Sequence, residues 1–431
     1  MAQDRVFIVD GTRTPFLKAR HEPGPFTAAD LAVAAGRPLL ARLPFPPTAI
    51  DEVIVGCVIP GPDEANIARI VSLRLGCGNR VPAFTVQRNC ASGLQAAATA
   101  AERIRLGQAQ VVLAGGTEVM SRAPILWNTA MAAWLGGVVR ARGFGERVRA
   151  LMRFRAAHLQ PVYSLLLGLT DPLVKLSMGQ TAEILAHRFG ISREEQDAYA
   201  LRSHRRLAAA YDAGDLADEV GVLYEPGGKF YGEDNGLRRD TDLAPLAKLK
   251  PVFDKHGQVT SGNSSQVTDG AAMLVLAAEA AVARYRLPVL GEWLDHAWVG
   301  VDPSQMGLGP VHAVAKLLAR HQTKMHELAQ MELNEAFAAQ VLACQAAWES
   351  SEYARNELGL EAPLGAIDPE RLNPEGGAIA CGHPVGASGA RLVLHLLKAL
   401  RRKGGGMGVA TLCIGGGQGG AALVRVEGAG A

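Results

Sequence analysis

From Arg5 to Gly115 the chain alternates short, unbroken apolar runs with longer stretches in which apolar positions recur at helical spacing. Arg5–Val9, Glu52–Val58, Val81–Val86 and Val111–Gly115 read as buried strands, each bounded by turn-forming residues. Ala28–Leu43, Asn66–Leu75 and the alanine-rich Leu94–Leu106 read as helices between them. Such alternation predicts a layered α/β domain, because each element has one apolar face that only a second layer can cover. The C-terminal part repeats the rhythm, with helices expected at Pro310–Arg320, Glu335–Trp348 and Ser388–Arg402 and strands at Gly408–Cys413 and Ala421–Val426.

A faint internal repeat links the two ends. Ala91-Ser92-Gly93 starts a helix that is followed by a strand and Gly115-Gly116, and Ala387-Ser388-Gly389 starts another, followed by a strand and Gly415-Gly416. The spacing from Gly93 to Gly115 is 22 residues and that from Gly389 to Gly415 is 26. The repeat predicts two similar halves, each aiming the N-terminus of a helix at a shared cleft.

The middle of the chain, residues 129–258, breaks this rhythm. Its clearest element is a helix over Ser192–Ala213, where Ser192 and Glu195 have the spacing of a capping box. Upstream lies a basic, apolar insert with Arg140, Arg142, Arg147, Arg149, Arg153 and Arg155 against Glu146, and with Val148, Leu151, Met152 and Leu159 near helical spacing. It reads as a solvated helix face, a phosphate contact or a membrane-surface patch. The expected parts are therefore 1–128 with 259–285, an inserted domain over 129–258, and 286–431.

Composition narrows the function. A net charge of +2 and 20% charged residues give no basic footprint for nucleic acid, and no stretch interleaves basic with aromatic residues. The six cysteines, at positions 57, 77, 90, 344, 381 and 413, form no C-x-x-C pair and no metal-ligand spacing, so no metal is expected. Only Val6–Val9 is apolar near the start, too little for a secretory signal, so a reducing, cytoplasmic setting with free thiols is expected. The longest uncharged stretches, Ala123–Val139 and Ala156–Thr170, are too short and too interrupted to span a membrane.

Candidate chemistry gathers at Cys90. The turn Gln87-Arg88-Asn89-Cys90-Ala91-Ser92-Gly93 sits between a strand and a helix, so the sulfur is expected at a helix N-terminus, where unpaired N–H groups favour a thiolate. A cysteine nucleophile also needs a base and donors for the developing oxyanion. His383, in Gly382-His383-Pro384, is the candidate base, and Asn334-Glu335-Ala336-Phe337 begins a helix whose Asn334 could hold a water or merely cap it. Cys413 closes a strand and opens Gly415-Gly416-Gly417-Gln418-Gly419-Gly420, a loop whose N–H groups suit an oxyanion better than a phosphate.

Together these segments resemble the thiolase family. Further matches are Gly115-Gly116-Thr117-Glu118-Val119-Met120-Ser121, Ser261-Gly262-Asn263-Ser264-Ser265-Gln266 and Met306-Gly307-Leu308-Gly309-Pro310, and the likeness runs from about Arg5 to Val426. It implies a thiolase-like fold of two layered α/β/α/β/α halves with an inserted loop domain. It also implies an acyltransferase that cleaves 3-ketoacyl-CoA to acetyl-CoA and a shortened acyl-CoA, reversibly, as in fatty-acid β-oxidation. Cys90 would be the acylated nucleophile, His383 its base, and Cys413 the second acid/base. Asn334 would hold the water of one oxyanion hole, and the N–H groups of Cys90 and Gly415 would form the other. Ser265 would touch the pantetheine arm, with Met178 and Met306 near the acyl group.

Coenzyme A is then a substrate, with no permanently bound cofactor. The segments Tyr199–His204 and Asp234–Arg238 and the insert near 140–170 look like the β-subunit of the fatty-acid-oxidation trifunctional complex. That branch implies a hydratase/dehydrogenase partner and peripheral membrane contact through the insert. Asn334, where that branch usually carries histidine, and the Met306 motif point instead to ordinary degradative and biosynthetic enzymes, which are homodimers or homotetramers. The competing readings are a biosynthetic acetoacetyl-CoA thiolase, a decarboxylating ketoacyl synthase, and a non-catalytic CoA-ester- or lipid-binding protein of the same fold.

Overall fold

The computed structural model describes residues 5–20, 22–225 and 227–428. Residues 1–4, on which the reading of a missing secretory signal partly rests, and the last three residues of the C-terminal part lie outside them.

Most expected elements form, and their ends are set by local chemistry. In the N-terminal half these are β1 (Val6–Arg13), α1 (Ala28–Ala41), β2 (Glu52–Gly56), α2 (Ile67–Arg74), β3 (Ala83–Val86), α3 (Ser92–Arg105) and β4 (Val111–Val119). Thr27 and Asp30 close a capping box on α1, and Asn66 accepts from the Arg69 N–H at the start of α2. The inserted region holds α4 (Thr129–Arg140), α5 (Phe144–Leu151), α6 (Ser164–Gly168), α7 (Met178–Arg188) and α8 (Arg193–Ala213). The capping box at Ser192 and Glu195 forms as its spacing predicts, with the Ser192 N–H donating to the Glu195 carboxylate at 2.7 Å. Next come β5 (Thr268–Ala278), β6 (Gly291–Gly300), α9 (Gly309–His321), β7 (Gln330–Leu333), α10 (Ala338–Glu349), α11 (Val385–Arg402), β8 (Gly406–Ile414) and β9 (Gln418–Val426).

The nine long strands follow the order β7-β8-β9-β6-β1-β5-β4-β2-β3, and the two-residue strand Leu17–Lys18 pairs with β5. Within the sheet the halves join where Phe7 and Ile8 of β1 pair with Glu292 and Gly291 of β6. In the first half, strands numbered by chain position lie in the order 3-2-4-5-1; in the second the order is 2-4-5-1, with no counterpart of the third. Pairing senses match as well: the second and fourth strands are parallel in each half, and the other shared pairs are antiparallel. The repeat noticed in sequence is thus a repeat of topology.

Helices complete the layers. α1 and α2 cover one outer face, α9 and α10 the other, and each encloses its own apolar core. α3 and α11, the helices that open with the two Ala-Ser-Gly triplets, fill the middle. They cross at their glycines: a Cβ on Gly93 would sit 2.8 Å from the Gly386 carbonyl oxygen and 2.9 Å from the Ala390 nitrogen, and one on Gly389 would strike the Leu94 backbone. Only glycine lets the two backbones approach so closely. Both helix N-termini therefore open at the same place.

β5, β6 and β7 carry no expectation from sequence. β5 is fully buried yet begins Thr-Asp-Gly and is rich in alanine, so periodicity does not mark it as a strand. In the insert the helical spacing of Val148, Leu151, Met152 and Leu159 is realised only in part, by α5 and a short 3₁₀ turn over Ala156–Leu159. Among the described residues no helix is long and apolar enough to cross a membrane.

Candidate active site

Cys90 sits in a turn held from both halves. Asn89 adopts a left-handed backbone with φ of 43°, and its side-chain amide donates to the Gly415 carbonyl at 2.7 Å. The Ser92 hydroxyl, inside the first turn of α3, donates to the Asn89 carbonyl at 2.7 Å and accepts from the Arg88 N–H at 2.9 Å. Arg88 stacks 4.3 Å over the Trp298 ring and donates to Gln418 at 3.0 Å, both in the other half. A side chain in such a turn has little freedom to swing away.

His383 is buried and fixed by both ring nitrogens. Nδ1 lies 2.6 Å from the Ser388 hydroxyl, which in turn donates to the Pro384 carbonyl at 3.1 Å. With its proton committed there, Ser388 accepts from Nδ1–H, which leaves the Nε2 lone pair as the acceptor. The Asn334 amide nitrogen approaches that Nε2 at 3.4 Å, while Asn334 Oδ1 is buried without a hydrogen-bond partner. Asn334 and Glu335 do not begin a helix as the sequence suggests. They form a turn after β7, and α10 starts only at Ala338 with the extended Phe337 before it. Asn334 is therefore not a helix cap.

Cys413 lies near the end of β8, fully buried. The glycine loop is also shorter than expected: Gly415-Gly416-Gly417 turns the chain, and Gln418-Gly419-Gly420 already belong to β9. Gly416 and Gly417 take φ of +89° and +76°, which side-chain-bearing residues rarely adopt.

Burial dominates the electrostatics. It pushes the Cys90 thiol up, against the opposing pull of the Gly415 N–H and of its own N–H. This corrects the expectation of a standing thiolate: removing the sulfur from water outweighs the partial charge of one helix end. Burial, with a contribution from the nearby Cys90, pushes Cys413 well above the ordinary thiol range. Burial also lowers His383 to about 3, helped by Arg391. At neutral pH the site thus holds two thiols and a neutral imidazole with a free lone pair.

Cys90 opens onto a narrow cleft walled by Val58, Ile59, Leu165, Leu169, Met178 and Val385, with Gly415 at its base. The wall joins four regions: the segment after β2, the helix α6 of the insert, the start of α7, and the start of α11. Another surface cavity, between α4 and α5, contains none of the catalytic candidates but is lined by Arg140, Arg149 and Arg153 of the basic insert.

The sequence matches two family models, "Thiolase, N-terminal domain" over residues 6–280 and "Thiolase, C-terminal domain" over residues 287–426. The chain belongs to the thiolase family. A 3-ketoacyl-CoA thiolase of Serratia proteamaculans (strain 568) is 40% identical over 427 residues, covering 98% of this chain and 97% of the relative. The human mitochondrial 3-ketoacyl-CoA thiolase in complex with CoA superposes with a TM-score of 0.84 at 38% identity, covering 98% of each chain. The Bacillus anthracis acetyl-CoA acetyltransferase superposes with a TM-score of 0.84 at 33% identity, covering 98% of this chain and 99% of that one.

Within this thiolase the remaining sequence candidates fall in different places. Met178 lines the cleft. Ser265 is half-buried, its N–H donating to the Ala336 carbonyl at 2.9 Å, and it does not line the cleft. Met306 is 3% exposed and lies in the apolar core that also contains Cys413. Three polar residues carry no role in the sequence reading. Ser388 sets the His383 tautomer. The Glu335 carboxylate anchors the Asn334 turn by accepting from Tyr199 at 3.0 Å, Ser203 at 2.6 Å, Asn373 at 3.1 Å and the Ile379 N–H at 3.2 Å. The third, Glu118, lies in the wholly buried β4. A glutamate inside an otherwise apolar strand was the available signal, since an unpaired buried carboxylate is so costly.

Proposed function

We propose that the chain cleaves 3-ketoacyl-CoA by thiolysis through a Cys90 acyl-enzyme. As the Cys90 sulfur attacks C3, its proton passes to Nε2 of His383. The C2–C3 bond breaks, its electron pair goes to C2, and the Cys413 thiol protonates that carbon to give acetyl-CoA. CoA enters and gives its thiol proton to the Cys413 thiolate. Its sulfur then takes the acyl group, and Cys90 recovers its proton from His383. This reading is carried by the site's geometry, with the turn at Cys90 bonded to Gly415 and the ring of His383 fixed by Ser388, together with the protonation that burial favours. A neutral imidazole can accept a proton and a high-pKa thiol can donate one; Cys413 feels the nearby Cys90, and Val385, two residues past His383, lines the cleft at Cys90. The carbanion at C2 binds a proton far more tightly than a thiolate does, so even a strongly raised Cys413 is acid enough.

In this reading the N–H groups of Cys90 and Gly415 hold one oxyanion, while Asn334 with His383 holds the other. Met178 packs on the acyl group, Met306 backs Cys413 from the core, and Ser265 contacts the pantetheine arm. The same site run backwards condenses two acetyl-CoA. The chain is read as a nucleophile domain (1–128 with 259–285), a loop domain (129–258) and a C-terminal domain (286–431), assembled as a homodimer or homotetramer in a reducing, cytoplasmic compartment. Mass spectrometry after mixing with acetyl-CoA, which acylates Cys90 without breaking a C–C bond, tests the reading. The wild type and Cys413→Ala become acylated on Cys90, Cys413→Ala stalls there, and Cys90→Ala does neither. Near-normal turnover by Cys90→Ala would sink it.

A second role for the insert rests on its surface. Trp127, Val139, Phe144, Met152 and Leu167 are all exposed, beside Arg149, Arg153 and Arg155. Exposed apolar side chains interleaved with cations suit peripheral contact with an anionic lipid surface. Acyl-CoA delivery from a hydratase/dehydrogenase partner would then occur at that surface.

A further inference from the structure

Glu118 is fully buried, and its carboxylate accepts hydrogen bonds from three backbone N–H groups drawn from both halves of the molecule. Oε2 accepts from Val58 at 2.9 Å and from Gly386 at 3.0 Å; Oε1 accepts from Ile59 at 3.0 Å and faces the Cys57 thiol at 3.6 Å. Val58 and Ile59 wall the cleft at Cys90, and Gly386 lies three residues past His383. Among the described residues no lysine, arginine or histidine forms an ion pair with Glu118. The titratable groups that feel its charge are Cys57, just after β2, and Cys90, before α3.

We propose that Glu118 is a positioning residue for the thiolase reaction: its carboxylate ties the turn carrying His383 to the cleft wall at Val58–Ile59 and holds a negative charge close to Cys90. This deepens the Cys90 reading and rests on it. Three N–H donors and a thiol meeting two oxygens favour a carboxylate, since a hydrogen on Oε1 would find only the weakly accepting Cys57 sulfur. A glutamine at 118 turns an NH2 group towards one pair of donors and releases either the Ile59 side or the Val58 and Gly386 side. An aspartate keeps the charge but falls one methylene short. Burial raises Glu118 to about 7 against the pull of the Ile59, Val58, Cys57 and Gly386 donors, so its charge is fully present only above that pH, the range in which the Cys90 thiol titrates, and there it contributes to the raised pKa of Cys90.

The test compares wild type, Glu118→Gln and Glu118→Asp in the full-length enzyme. Single-turnover acylation of Cys90 by acetoacetyl-CoA and the pH profile of Cys90 alkylation by iodoacetamide are the readouts. Glu118→Gln should acylate at least tenfold more slowly with KM for CoA within threefold of wild type, and its alkylation profile should move to lower pH. Glu118→Asp should acylate more slowly with an unmoved alkylation profile. A purely structural role would not separate the two variants in this way. Acylation by Glu118→Gln within twofold of wild type, or an unmoved alkylation profile in it, overturns the proposal. If Glu118→Gln does not fold, Glu118→Asp decides alone, and acylation within twofold of wild type is the refuting result. A wild type that never acylates at Cys90 would instead defeat the reading of the site itself.

Discussion

Ser388→Ala isolates the histidine tautomer. The Ser388 hydroxyl is fully buried, receives Nδ1–H of His383 at 2.6 Å and passes its own proton to the Pro384 carbonyl at 3.1 Å. Alanine removes the acceptor and leaves a buried N–H unpaired, at a cost of about 1–3 kcal/mol. The ring relieves that cost by moving its proton to Nε2, next to the Asn334 amide, or by rotating. Either change removes the lone pair proposed to take the Cys90 proton. If the competent tautomer is disfavoured by that energy, acylation slows roughly 5- to 150-fold, at about 1.4 kcal/mol per tenfold. Stopped-flow acylation with acetoacetyl-CoA measures the rate, and urea unfolding measures stability in parallel. The expected pattern is a fall in kcat with KM for CoA little changed, beside a stability loss of about 1–3 kcal/mol. Acylation within twofold of wild type in a folded Ser388→Ala enzyme would refute the reasoning, because the relay would then not set the tautomer.

Stability should also fall at alkaline pH through His395, on the same helix as Ser388. Burial lowers its pKa, but Glu219, Glu332 and Glu375 outweigh that and raise it to about 9, above the 6.5 of an unfolded chain. The stabilisation is complete below about pH 6.5 and is lost as pH rises through about 9. The shift corresponds to an order of 3 kcal/mol, and urea midpoints at pH 7 and pH 10 that coincide would contradict it. In the insert, Arg153→Glu combined with Arg155→Glu should weaken binding to phosphatidylserine vesicles by roughly tenfold or more, since each arginine near such a surface contributes about 1 kcal/mol. Equal sedimentation of wild type and variant with those vesicles would leave the arginines as a solvated face.

How much was legible in advance differs from element to element. α8 could be placed to within a residue because Ser192 and Glu195 act on their own backbone, a contact complete within one turn. The repeat could be seen because Ala-Ser-Gly marks a helix start at which only glycine fits, and that requirement is written in residue type. Residues such as Cys90, His383 and Cys413 stood out as candidates because few side chains do nucleophilic and proton-transfer chemistry. The strands β5, β6 and β7 could not, because their burial comes from neighbours distant in the chain rather than from their own alternation. The cleft wall was equally hidden: Val58, Leu165 and Val385 are ordinary apolar residues until the fold brings them to one sulfur.

Residue type and local spacing determined this thiolase's helices, its doubled plan and the chemical groups available for catalysis. The tertiary structure alone decided their protonation and partners. Desolvation depends on everything packed around a group, so whether Cys90 rests as thiol or thiolate, which nitrogen of His383 is free, and that Glu118 joins two halves are properties of the folded interior.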